Sequence, residues 1–160
     1  LFYYINNKLG PVQYDAACTP SLNNLAKPLR LEDSCPKSSI IYSNPPYDSH
    51  SISKWIEKGS QHTSNEGTHI MLIPNKLNQV FFSKHFHQID HIIFLGGRVN
   101  FEGPFSTSGG ASMSGSIIIV QYPPSARPQN MIIENILLST LKKQYLTQHQ
   151  KILTHLEESL

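Results

Sequence analysis

The sequence predicts an α/β fold, a mostly parallel sheet with helices on both faces. Two observations carry this. Short apolar, β-branched runs alternate with amphipathic stretches, about six strands in all, with no fixed-period repeat. The size fits: 160 residues, 39% of them hydrophobic, make one domain large enough to bury a core.

Each element has its own local signal. Leu1–Lys8 reads as the end of a helix stopped by Gly10-Pro11. Val12–Tyr14 reads as a brief strand that delivers Asp15 at its carboxyl end, and the polar, Pro-punctuated stretch Cys18 to Lys37 as a loop with one helical turn. Ile40–Ser43 is an apolar strand halted by Asn44-Pro45-Pro46-Tyr47. A helix follows, with Ile52, Trp55 and Ile56 on one face, and Gly59–Gly67 reads as a loop. His69–Ile73 is a buried strand ending at Pro74, and Asn78–Phe86 a helix with Val80 and Phe81 inward. His91–Leu95 is a strand before Gly96-Gly97. Arg98–Phe101 and Ser116–Tyr122 flank a Gly/Ser-rich loop and are suited to pair as an antiparallel hairpin. Beyond Pro123-Pro124, Ile132–Leu156 reads as one or two helices.

Composition narrows the function classes. Thirteen Lys+Arg against eleven Asp+Glu leave a net charge of +2, which excludes a basic tail or an acidic disordered protein. At most a local basic patch remains, and Lys142-Lys143 reads as a solvated face. Apolar runs such as Ile117–Val120 are far shorter than the roughly 20 residues of a membrane span. Cys18 and Cys35, without C-x-x-C spacing, point to a reduced, intracellular protein. The start at Leu1, without Met, leaves room for a preceding N-terminal segment and any targeting signal.

The stretch richest in chemistry is Ser43-Asn44-Pro45-Pro46-Tyr47. Two prolines after an apolar strand remove two backbone donors and fix φ at both positions, which ends strand pairing and holds Asn44 rigidly at the sheet edge. An Asn amide oxygen with a neighbouring backbone carbonyl offers two acceptors for one NH2 group, and a tyrosine ring offers a stacking face. Together they suit an exocyclic amino group on a planar base. In α/β sheets ligands sit beyond the carboxyl ends of the strands, where Asp15 and Asn44 are both predicted.

Ser43-Asn44-Pro45-Pro46-Tyr47-Asp48 is similar to the catalytic motif of S-adenosylmethionine-dependent amino-group methyltransferases. The flanks select a branch. The N-terminal Leu-Phe-Tyr-Tyr-Ile with Tyr14-Asp15-Ala16-Ala17, Asn23-Asn24 and Leu31-Glu32-Asp33-Ser34 resembles the start of the phage-type DNA N6-adenine methyltransferase (Dam) family. Trp55-Ile56-Glu57-Lys58, Met71-Leu72-Ile73-Pro74 and Phe94-Leu95-Gly96-Gly97-Arg98-Val99-Asn100-Phe101 resemble that family's later blocks in order. The glycine-rich SAM loop of the guanine and glutamine branches is absent. A Thr-Pro pair expected before the first helix is also absent, and Gly96-Gly97-Arg98 carries an extra Gly. The resemblance spans roughly residues 1–124; the segment from Pro128 onward matches no block of the family.

The resemblance implies a Rossmann-like SAM-dependent methyltransferase sheet with a C-terminal helical extension: residues 1–124 as catalytic domain and 125–160 packed on it. It implies S-adenosylmethionine as cofactor, near Asp15, Ala16, Ala17, Asp33 and Asn44. Asn44 and the Pro45 carbonyl would accept hydrogen bonds from adenine N6, with Pro46 stiffening the turn. Tyr47 would stack on a base flipped out of the DNA duplex, which costs a few kcal/mol, and Arg98 would help hold the substrate. Cys18 would line the cofactor pocket, and the loop Gly103–Gly115 is suited to close over substrate or to serve as a slack turn.

Competing readings change the acceptor to RNA adenine or protein glutamine, or keep only a non-catalytic subunit that binds DNA or a partner. A homodimer or partner subunit stays open; no membrane association is expected. No metal is expected either: His85, His87, Asp90 and His91 cluster in sequence, but His85 and His87 project to opposite faces of a strand, or about 200° apart on a helix.

Overall fold

The computed structural model describes residues 1–17, 26–97, 99 and 115–157. Among these, seven strands form one sheet in the order β2-β1-β3-β4-β6-β5-β7. The strands are β1 (Tyr14–Ala16), β2 (Lys27–Leu29), β3 (Ile40–Ser43), β4 (Thr68–Pro74), β5 (His91–Gly96), β6 (Ser116–Gln121) and β7 (Ile132–Leu137). All run parallel except β6, which is antiparallel to both its neighbours, β4 and β5. The carboxyl ends of the six parallel strands therefore share one edge.

Strict alternation along the central strands divides the core into two layers. Met71 and Ile73 of β4 and Ile117 and Ile119 of β6 face α2 (Ser49–Thr63) and α3 (Val80–His85), against Ile52, Trp55, Ile56, Phe81 and Phe82. Ile70, Leu72, Ile118 and Val120 face the other way, against Ile5 of α1 (Phe2–Leu9) and Leu138, the first residue of α4 (Leu138–Glu157). Each of these fully buried aliphatic side chains stabilises the fold by about 1.5–3 kcal/mol through burial. Gly10, at φ 101, ends α1 in a conformation that favours glycine.

Five local expectations are corrected. The first strand lies two residues later than predicted, so Asp15 is its middle residue and Ala16 its last. The stretch Cys18 to Lys37 contains strand β2, whose only apolar signal is Leu29 next to a proline. Gly59 to Thr63 continue α2 instead of forming a loop, because Gly59, His62 and Thr63 extend its buried face. Val80 is 85% exposed, and Phe82 points inward with Phe81. Residues Ile132 to Leu137 are a strand beside β5, and only then does the C-terminal helix begin. Ser116–Gln121 form strand β6, which pairs with β5 and β4; its predicted hairpin partner, Arg98–Phe101, falls mostly outside the described residues. Arg98 and residues 100–114 lie outside the described residues.

Candidate active site

Two adjacent parallel strands, β1 and β3, bring the sequence-predicted residues together. The register aligns Asp15 with Tyr42 and Ala16 with Ser43, so the chain leaves both strands side by side at Ala17 and Asn44. Ala17 turns at φ 60, a conformation strained for a residue with a Cβ, and so swings the chain sharply at the end of β1.

After Ser43 the two prolines end the ladder. Pro45 is buried, Pro46 exposed, and Asn44 and Tyr47 are half-buried. The Tyr47 hydroxyl donates to Asn44 Oδ1 at 2.9 Å, closing a four-residue loop across the prolines. Burial pushes the Tyr47 phenol up to about 12, so it remains a donor. Asp48 then caps α2, its carboxylate accepting the Ser51 N–H at 2.8 Å, which anchors the motif to a 15-residue helix.

Asp15 lies on the α1 side of the sheet, opposite to Tyr14 and Ala16, which join the other layer. Burial raises its carboxyl to about 6. Tyr42, its cross-strand neighbour, is held well above the usual tyrosine range by burial, then by the negative charge of Asp15. Phe2 of α1 meets the Tyr42 ring edge-on at a centroid distance of 5.4 Å.

The other predicted residues are placed less uniformly. The Ala16 side chain is 1% exposed and packs in the core, leaving only its backbone for a ligand. Asp33 sits on the same sheet edge, in the turn after β2, but its carboxylate accepts the Arg30 N–H at 2.7 Å and shapes that turn. Lys58 of α2 reaches across to donate to the carbonyls of Leu31 and Asp33. Arg98, Cys18 and residues 103–114 lie outside the described residues. Sequence reasoning missed Tyr42 and the buried pair Ser43 and His69; alternation along Ile40–Ser43 placed Tyr42 and Ser43 on opposite faces, a signal not exploited.

The desolvated Asp15 carboxylate of β1 and the rigid Asn44 turn after β3, on adjacent strands, form a set of acceptors that fits S-adenosylmethionine. The methionine part carries positive charge, which a half-buried carboxylate favours. Among the described residues, no three His, Cys, Asp or Glu side chains gather to hold a metal. A separate cavity of about 1270 Å3 lies between α1 and α4, lined by Phe2, Tyr3, Lys8, Val99, Lys142 and Tyr145 among others.

The sequence matches the family model described as DNA N-6-adenine-methyltransferase (Dam) over residues 1–153, so the match continues past the roughly 124 residues that the motif blocks span and into the segment after Pro128. Two solved structures show partial similarity. One is a Listeria monocytogenes protein described as a class I S-adenosylmethionine-dependent methyltransferase: 16% identity, TM-score 0.46, covering 69% of this chain and 42% of that chain. The other is a Thermoplasma acidophilum protein: 14% identity, TM-score 0.45, covering 78% of this chain and 87% of that chain. This chain thus spans less than half the length of the Listeria protein. No curated protein matches it.

Proposed function

Because the chain belongs to the DNA N-6-adenine-methyltransferase (Dam) family, we propose that it methylates the N6 amino group of adenine in DNA, with Asn44 as the residue that receives that group. The family's reaction is adenine methylation, and S-adenosylmethionine is its methyl donor. The observation that carries the assignment of Asn44 is its fixed amide. Asn44 Oδ1 is held at 2.9 Å by the Tyr47 hydroxyl, on a Pro-Pro turn one strand away from Asp15.

The cofactor, when bound, supplies an electrophilic methyl on a sulfonium. The chain's residues do the rest by orientation. The second lone pair of Asn44 Oδ1 and the Pro45 carbonyl accept the two N6 hydrogens, which turns the nitrogen electron pair toward the methyl. Transfer of that methyl would form the N–C bond and break the S–C bond, and the extra proton would leave the amino group to water. Asn is too weak a base to take it, so geometry and local dipoles lower the barrier. Tyr47 presents its ring to the flipped base, and Asp15 holds the positive methionine end of the cofactor. Ala17 turns the chain away to leave room, Asp33 shapes the turn after β2 on the cofactor side, and the family resemblance assigns Arg98 to the substrate.

The proposed catalytic side chains all fall within residues 1–124, and residues 125–157 add strand β7 to the same sheet, followed by α4. DNA as substrate puts the work inside the cell, in the cytoplasm, nucleoid or nucleus. No helix among the described residues is long and apolar enough to cross a membrane. A second copy or partner subunit would meet the open side of edge strand β7, where Ile133 is 65% exposed.

The test is methyl transfer from labelled S-adenosylmethionine to unmethylated DNA, with RNA in parallel and nucleoside analysis of the product. N6-methyladenine in DNA is the expected outcome. Label only in RNA would move the acceptor; no label with intact cofactor binding would remove the activity.

A further inference from the structure

A chain of buried hydrogen bonds runs behind the catalytic edge, and the transfer itself does not use it. Ser43, the last residue of β3, is fully buried and directly precedes Asn44. Its Oγ lies 2.8 Å from Nε2 of His69 in β4. The other ring nitrogen, His69 Nδ1, lies 3.0 Å from Oε1 of Gln121 in β6. The Gln121 amide nitrogen donates to the Ile56 carbonyl and to Ser60 Oγ of α2, both at 3.1 Å, and Ser60 donates to Gln88 Oε1 at 2.8 Å.

The donors give this chain one direction. Gln121 spends its NH2 group on α2, so its Oε1 accepts, and His69 Nδ1 carries the proton. His69 Nε2 is then the acceptor, and the Ser43 hydroxyl donates to it; the tautomer is inferred from this network. Burial lowers the His69 pKa to about 4 and keeps the ring neutral at working pH. His62 of α2, the charged-capable group that faces it, is shifted down by burial too. Gly59 completes the fit: a methyl there would collide with Gln121 Oε1 and His69 Nδ1.

We propose that His69, held by Gln121, is a positioning residue for methyl transfer: it anchors Ser43 and thereby sets the backbone from which Asn44 and the Pro45 carbonyl reach the target amino group. The inference rests on the reading of Asn44 given above. Downstream, Pro45 restricts Asn44 to extended conformations, and the helix cap at Asp48 fixes the far end of the turn. Upstream, Ser43 is the last residue in register with Ala16 and Met71, and its side chain adds a second hold at the point where the ladder ends. A rotation at Ser43 is carried through the stiff turn to the Asn44 amide, and a displacement of about 1 Å there can cost on the order of 10²-fold in rate.

The experiment measures kcat and S-adenosylmethionine affinity, together with Tm, for the full chain and its Ser43→Ala, His69→Gln, His69→Asn and Asn44→Ala variants. A Gln side chain can bring its amide oxygen to the place of Nε2, while Asn reaches only the Nδ1 position. Ser43→Ala should lower kcat about 10- to 100-fold with cofactor affinity changed less than about twofold. His69→Gln should keep kcat within about threefold, His69→Asn should fall like Ser43→Ala, and combining His69→Asn with Ser43→Ala should cost no more than either alone. Loss of Tm with wild-type kcat in both Ser43→Ala and His69→Asn would overturn the proposal and leave a structural network only. Ser43→Ala removes one oxygen atom, so it decides the matter if a His69 variant does not fold. Asn44→Ala separates the two readings: if it is inactive while the Ser43 and His69 variants keep full kcat, the positioning role alone falls. If Asn44→Ala is active, both fall.

Discussion

The Tyr47 hydroxyl and the Asn44 amide oxygen are bonded at 2.9 Å across two prolines. This bond orients the amide before any substrate arrives, with Oδ1 turned toward the phenol and one lone pair still free for a donor. It also separates two roles of one tyrosine, a hydroxyl that aims Asn44 and a ring that stacks on the base. Tyr47→Phe removes only the first and should lower kcat by roughly threefold to tenfold, the value of one net hydrogen bond. Tyr47→Ala also removes stacking, worth about 1–3 kcal/mol per base, and should lose a further factor of about 5 to 160. Steady-state kinetics on both variants checks this, and equal losses would put the whole effect in the hydroxyl.

Asn44→Ala deletes the proposed acceptor outright. Transfer should fall by at least 10²- to 10³-fold, the scale seen when one preorganised polar group is removed from a reacting centre. Cofactor affinity, measured calorimetrically, should stay within about threefold, since the side chain acts on the base.

Asp15 is predicted to trade stability for binding. Its carboxyl is raised to about 6 by burial, so the folded state holds a proton more tightly than the unfolded one. Stability linked to that proton is fully present below about pH 4 and is lost as pH rises through about 6. Asp15→Asn should therefore raise the stability of the cofactor-free protein at pH 7. The gain is about 1–2 kcal/mol after discounting for its partial exposure, and it should disappear below about pH 4. The same variant should bind S-adenosylmethionine more weakly. Denaturant melts at pH 4 and 7, with calorimetry at pH 7, test both halves; a destabilised variant at pH 7 would contradict the burial argument.

His69 has the opposite sign. Its folded-state pKa of about 4 lies below the ordinary 6.5, so the unfolded chain takes up the proton first. Stability is fully present above about pH 6.5 and falls as pH drops toward 4, by about 3 kcal/mol from this residue alone. Burial shifts His62, His85 and His91 in the same direction. A Tm that declines steadily from pH 6.5 to pH 4 is the expected profile, shallower in His69→Gln; a flat profile in the wild-type chain would mean the imidazole titrates in place.

The sequence by itself determined the fold class, the strand that carries the motif and the helix behind it. Ile40–Ser43 and the face of Ile52, Trp55 and Ile56 stand in the structure as their periodicity predicts. Apolar alternation and proline chemistry are local, and a local rule suffices to read them. The same holds for the S-N-P-P-Y motif, whose residue types state their chemistry without reference to distant chain.

Tertiary structure alone decided the rest. β2 and β7 carry weak signals of their own; β7 exposes Ile133 and Leu137 on the sheet's edge and forms because β5 offers it a complete row of backbone partners. The neighbourhood of Asp15 and Tyr42 depends on a register between strands 27 residues apart. The alignment of Ser43, His69 and Gln121 depends on β3, β4 and β6 lying side by side, with β5 displaced to the far side of β6. Hydrogen bonds between side chains far apart in sequence leave no periodic trace in composition, because their partners are chosen by packing and burial, and only the folded chain can supply those.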